Sequence, residues 1–268
     1  MRTLLCLVAL ASLSPNGFAQ SNRGFEMAAK PSANNDELVR QSDLWVMELQ
    51  FKKPRLVYVE QPVPGSNQPE LQEVWYLAWR SIVRPLPQAE DDPSLPVNPE
   101  DPEPGPTQFI PQFLLVTYDN PQTEIPIQTL PDQIIPGAIK KIQQIETRPG
   151  STVTFEDSVN VIQDLPTATP LDAEDQNWIY GAATWTGVNK DTDFFKVIAQ
   201  GFSNGYEIKA EGDKAQVWRK VLVQKFTRPG DQFDPNLREF NFDGEPTWTY
   251  QPDDSQPVLP KRDVAAQQ

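Results

Sequence analysis

The chain has 268 residues, with 37 acidic against 23 basic side chains, a net charge of −14 and no histidine. Without imidazole there is no Ser-His-Asp triad, no Cys-His dyad and no His-ligated zinc. The length suits one large domain or two small ones.

Residues 1–19 open with Met1-Arg2, pass through an apolar run from Leu4 to Leu13, and close on the small residues Gly17 and Ala19. This is the layout of a secretory signal peptide cleaved after Ala19, and the run is too short for the roughly 20 residues that span a bilayer. Cleavage would remove Cys6, the only cysteine, leaving no disulfide, thiolate ligand or thiol nucleophile. The expectation is an exported protein, periplasmic or extracellular. An acidic chain without basic clusters argues against nucleic acid and anionic lipid as partners. No later run is long enough to cross a membrane.

Residues 20–40 are polar and aperiodic and read as a flexible leader. From Leu44 the pattern changes: Trp45, Met47, Leu49 and Phe51 alternate with Val46, Glu48, Gln50 and Lys52, as in a strand with one buried face. Lys52-Lys53-Pro54 interrupts it, and Arg55 to Glu60 resumes as a second strand. Glu73 to Val83 is apolar on both faces, which predicts a central strand covered on both sides. Composition then breaks. Pro85 to Gln108 holds eight prolines and six acids with no base and no aromatic, a disordered Pro/acidic insertion that cannot bury enough surface to offset its ordering entropy.

Phe113 to Tyr118 predicts a strand ending in a turn at Asp119-Asn120-Pro121. Pro136 to Glu146 is the one helix candidate, with Ala138, Ile139, Ile142 and Ile145 on one side; Gly137 leaves a strand open as the alternative. Beyond Gly150 the chain reads as a meander, with strands at Thr152–Phe155, Val159–Ile162, Trp178–Trp185, Phe194–Phe202, Gln216–Phe226 and Trp248–Gln251. Ser203-Asn204-Gly205 and Glu211-Gly212-Asp213 are tight-turn signals. Residues 251–268 read as a disordered tail. The fold class is all-β, mostly antiparallel and sandwich-like, with one short helix at most and long irregular loops, built as a single domain over 41–250.

With histidine and cysteine gone, catalysis would need paired carboxylates, a lysine-assisted serine or an oxygen-ligated metal. Glu48 and Glu73 lie within strands, while Asp193 and Asp231 lie beside turns, and a glycosidase pair among them would have to converge within roughly 5 to 9.5 Å. Asn189-Lys190-Asp191-Thr192-Asp193 begins like a calcium loop but carries Phe194 and Gln200 where an EF-hand needs glycine and glutamate. The seven tryptophans, at 45, 75, 79, 178, 185, 218 and 248, fit core positions better than sugar platforms. Arg228-Pro229-Gly230-Asp231 reads as a turn with Pro and Gly at its centre. No phosphate loop, dinucleotide fingerprint or nucleophile elbow occurs. No catalytic residue, cofactor or metal ligand is assigned.

Several blocks together resemble a group of exported proteins of planctomycete bacteria: Val74-Trp75-Tyr76-Leu77, Asp132 to Pro136 running on to Glu146, Tyr180-Gly181-Ala182-Ala183-Thr184-Trp185, Thr192-Asp193-Phe194-Phe195, and Arg228 to Asp231. That resemblance implies export and a single unit, with no activity and no site residues attached. The functional expectation is a non-catalytic exported protein with a binding or envelope/surface-assembly role, its partner a protein or an envelope component. The alternatives are a carboxylate-based glycoside hydrolase and a calcium-dependent adhesion module.

Overall fold

A computed structural model describes residues 24–63, 65, 68–87, 107–211, 214–228, 240–253 and 259–260. In chain order its first elements are β1 (Met27–Ala29), α1 (Asn35–Arg40), β2 (Met47–Phe51), β3 (Arg55–Gln61) and β4 (Glu70–Val83). Next come β5 (Gln108–Phe109), β6 (Gln112–Tyr118), β7 (Gln128–Pro131), α2 (Ala138–Glu146) and β8 (Gln163–Asp164). The last are β9 (Ile179–Trp185), β10 (Phe194–Gln200), β11 (Tyr206–Glu211), β12 (Lys214–Thr227), β13 (Asn241–Pro252) and β14 (Leu259–Pro260).

Two antiparallel sheets face each other. The first has the order β1-β2-β4-β3, with β9 on the other edge of β4; the second has the order β11-β12-β10-β6-β7, with β13 and β14 also on β12. One core lies between them. Met47, Leu49, Phe51, Trp75, Leu77, Trp79, Ala183 and Trp185 come from the first sheet, and Phe113, Leu115, Phe195, Val197, Leu222 and Phe226 from the second. Trp79 sits within 5.3–6.2 Å of the rings of Phe109, Phe113 and Phe202, so the packing is aromatic and directional. The all-β, sandwich-like expectation holds, and buried residues of both sheets belong to one core.

β2 and β3 lie end to end along one edge of β4. Phe51 faces Trp79 and Arg55 faces Tyr76, so four steps on one side match three on the other. Lys52-Lys53-Pro54 is therefore a bulge, and a one-residue slip exchanges the faces. Before it, Glu48, Gln50 and Lys52 point away from the sandwich core; after it, Arg55, Val57 and Val59 do. The outer face of this sheet is consequently polar at one end and apolar at the other. α2 covers the apolar end, burying Ala138 and Ile142 with Ile135 and Phe155 against Val57, Val59, Val74, Tyr76 and Ala78. β4 is thus covered on both faces from Val74 to Ala78, while farther along, at Arg80, its outer face lines a groove.

Several expectations need correction. Residues 24–40 are not a flexible leader, because β1 pairs with β2 and α1 is a second helix. A capping box between Asn34 and Glu37 closes that helix, and a buried Lys220–Glu37 ion pair at 2.6 Å holds it to β12. Thr152–Phe155 is extended without being a strand, since only Glu156 bridges to Gly181. Val159–Ile162 is a turn, started by Asp157, whose carboxylate accepts the N–H groups of Val159 and Asn160. The tail is ordered at its start: β13 runs to Pro252, Asp253 pairs with Arg219 at 2.9 Å, and β14 adds to β12. Residues 1–23, most of the expected insertion (88–106), the turn residues 212–213 and 229–231, and residues 254–258 and 261–268 of the tail lie outside the described residues.

Candidate functional site

The polar end of the outer face forms the floor of a groove of about 900 Å³. Strand pairing builds it directly. Gln50 faces Arg80 across β2 and β4, and Tyr180 faces Arg80 across β4 and β9, so their side chains share one surface. The walls are the segment after α2, 147–153, and the loop 171–178.

Its buried charges are paired. Arg84 donates to Glu48 at 2.7 Å and to Gln176 at 2.6 Å, and Gln50 donates to Glu48 at 2.6 Å. Arg80 donates twice to Gln50, at 2.9 and 2.7 Å. The Arg80 guanidinium also lies 4.6 Å from the Phe25 ring and 4.0 Å from the Trp178 ring, a cation held between two aromatic faces.

At the border with the apolar end, Glu146 closes α2 with its side chain only 2 % exposed. It accepts from Lys52 at 2.7 Å, Tyr76 at 2.8 Å and Arg55 at 3.1 Å. A carboxylate at a helix C-terminus opposes the helix dipole, and the last turn of α2 carries no base of its own. Lys52, reaching in from the bulge, supplies the cation and also contacts the Glu146 carbonyl at 3.4 Å. Burial first and the adjacent Glu146 charge second push the Tyr76 phenol well above its ordinary range, so it stays a proton donor to that carboxylate.

Two further charged clusters lie elsewhere. Glu37 accepts from Lys220 at 2.6 Å and from the Tyr250 hydroxyl. Burial works to raise the Glu37 carboxyl, but the Lys220 and Tyr250 hydrogen bonds prevail and hold it below the usual carboxylate range. On the outer face of the second sheet, Glu124 bridges Lys196 at 2.8 Å and Lys225, and these two hydrogen bonds lower its carboxyl. Nearby, burial and the Glu124 charge push the Tyr118 phenol up to about 12.

The residues singled out in the sequence do not converge. Glu48 lies in the groove, whereas Glu73 projects from the opposite face of β4, accepting from Tyr58 at 2.9 Å. Asp193 is exposed, and its carbonyl accepts the Arg228 N–H. The Asn189 side chain takes the Asp191 N–H at 3.1 Å, which makes that loop an Asx turn. Among the described residues no three carboxylates are placed to hold a metal ion. Trp75, Trp79 and Trp185 are core, and Trp45 and Trp248 pack against it. Trp218 lies under Lys209 at 3.8 Å. Trp178 alone of the seven lines the groove.

Gln50, Lys52, Arg80, Arg84 and Glu146 carried no motif, because their proximity depends on strand register and on the bulge. No protein family, curated protein or solved structure matches the chain.

Proposed function

We propose that the protein is exported and acts as a non-catalytic binding component of the envelope or cell surface, holding its ligand in the groove on the outer face of the first sheet. One observation carries the reading. The buried carboxylates of the groove, Glu48 and Glu146, are each committed to cations and neutral donors, so neither is left as an unpaired acid poised to give a proton. What the groove offers a ligand is a rigid polar floor with Trp178, Tyr180 and Arg148 at its margin. These three side chains make no hydrogen bond to any described residue. Such a surface suits recognition, with an aromatic body and polar tips that are already ordered. Export rests on the pattern of residues 1–19.

The test is retention of a detergent-solubilised envelope fraction on the immobilised chain, compared with Trp178→Ala, while reducing ends released from envelope glycans are followed in parallel. The expected result is saturable retention that falls about tenfold in the variant, as for loss of an aromatic contact, with no release of reducing ends. Glycan cleavage that disappears in Glu48→Gln or Glu146→Gln would overturn the proposal.

A further inference from the structure

Residues 152–156 run extended beside β9, yet only the last of them pairs with it. Glu156 N–H donates to the Tyr180 carbonyl at 3.3 Å, and Ala182 N–H donates to the Glu156 carbonyl at 2.9 Å. On the other edge of the same segment the Gln143 amide takes the place of a strand: its Nε2 donates to the Val153 carbonyl at 2.6 Å and its Oε1 accepts the Phe155 N–H at 2.7 Å. In extended backbone the N–H and C=O of one residue share an edge, and successive residues alternate edges. Val153 through its carbonyl and Phe155 through its N–H therefore address Gln143, the Val153 N–H donating to Ser151 Oγ at 3.2 Å, while Thr152 and Thr154 address β9 together with Glu156. The bonds of Tyr180 and Ala182 fix which residues of β9 look back, so the Tyr180 N–H and, one step beyond the strand, the Trp178 carbonyl face Thr152 and Thr154.

The two segments diverge there. No hydrogen bond joins Thr152 or Thr154 to Trp178 or Tyr180, and a wedge of about 470 Å³ opens between them, lined also by Val161 and Ile162. The β9 wall offers the Trp178 carbonyl and the Tyr180 N–H, the Trp178 N–H being bonded to the Gln176 carbonyl at 2.8 Å, and the facing wall offers the backbone of Thr152 and Thr154.

We propose that this wedge binds an extended peptide, which enters as an additional strand between β9 and residues 152–154. Strand addition draws its affinity from main-chain hydrogen bonds and its selectivity from the side chains around them. At about 3.3 Å per residue, a run of three or four peptide residues fills walls of this length. Its apolar side chains meet Val153, Val161 or Ile162. A glycan has no backbone donors and acceptors at strand spacing, so the two walls select a peptide. The wedge shares Val153, Trp178 and Tyr180 with the larger groove, and a longer peptide runs from one into the other. The inference rests on the binding role proposed above and names its ligand class.

The test begins with a displayed library of random linear dodecapeptides selected on the whole immobilised chain. A selected peptide is then resynthesised with and without N-methyl groups on its central residues, and a glycan panel serves as the comparison probe. The peptide is expected to slow amide exchange at 152–154 and 178–180, and N-methylation to weaken it at least roughly tenfold, since each methyl removes a donor and blocks an approach. Thr154→Pro, which deletes one wall donor, should weaken binding in the same direction with its melting temperature checked alongside. Failure to select any peptide, protection elsewhere on the chain, indifference to N-methylation, or glycan binding with the same protection would each overturn the inference. If peptides fail while envelope retention still depends on Trp178, the peptide inference falls and the binding role stands; if both fail, both are lost.

Discussion

Two side chains show how little freedom the first sheet has. A Cβ on Gly181 would lie 2.2 Å from the Trp79 ring, so the indole packs directly on the β9 backbone and only glycine fits. Gly181→Ala should cost about 2–3 kcal/mol, in the range of overpacked cores, read as a lower urea midpoint with an unchanged slope. Glu146 answers to electrostatics instead. Replacing it with Gln leaves Lys52, 8 % exposed, without its counter-charge inside the protein. Losing one partner of a buried pair costs about 3–5 kcal/mol, and equilibrium unfolding of Glu146→Gln should show a loss of that order. A change below 0.5 kcal/mol would mean that Lys52 is hydrated after all.

At the scale of elements, α1 depends on titratable contacts of opposite sign. The Glu37 carboxyl titrates below its ordinary 4.5 in the folded chain. Its contribution is therefore complete above pH 4.5 and lost as pH falls through the lower folded value. Burial, then the bond to Glu37, raises the Tyr250 phenol above its ordinary 10.0, so its contribution is complete below pH 10 and lost as pH rises. Urea midpoints should fall at both extremes. Glu37→Gln should flatten the acid limb and Tyr250→Phe the alkaline limb, each at lower stability in the neutral range. An acid limb unchanged in Glu37→Gln would separate α1 from acid unfolding.

The same scale shows what the sequence made legible. β2 follows from residue alternation, β4 from an apolar run on both faces, and β3, β9, β10 and β12 from strand-like runs; β11 and β12 pair on either side of the Gly212-Asp213 turn signal, whose residues lie outside the described ones. α2 follows from its isoleucine spacing. β1 has three residues and exists because β2 offers an edge, while α1 has six, too few for a helical period to show. Its capping box, Asn34 with Glu37, was the signal that could have revealed it. Thr152–Phe155 has strand-forming residues and extended backbone, yet within the described chain its β9 side is paired only at Glu156. Tertiary pairing, not local preference, decided the outcome there.

Over the whole molecule, two sheets share one aromatic core, and the face proposed to bind is on the outside. The bulge at Lys52-Lys53-Pro54 divides that face into an apolar half under α2 and a polar half that forms the groove. The sequence marked the bulge as an interruption; its effect on which side chains point outward emerged only with the register against β4. The groove assembles residues from Phe25 to Tyr180, a separation that no spacing motif spans. The pairing of Glu48 with Arg84 and of Glu146 with Lys52 supports the proposed binding role. The most direct measurement is retention of a solubilised envelope fraction by the wild-type chain and by Trp178→Ala, with released reducing ends followed in the same samples. Saturable retention that drops about tenfold in the variant, without cleavage, is the predicted result. Retention indifferent to Trp178, or cleavage abolished by Glu48→Gln, would contradict it.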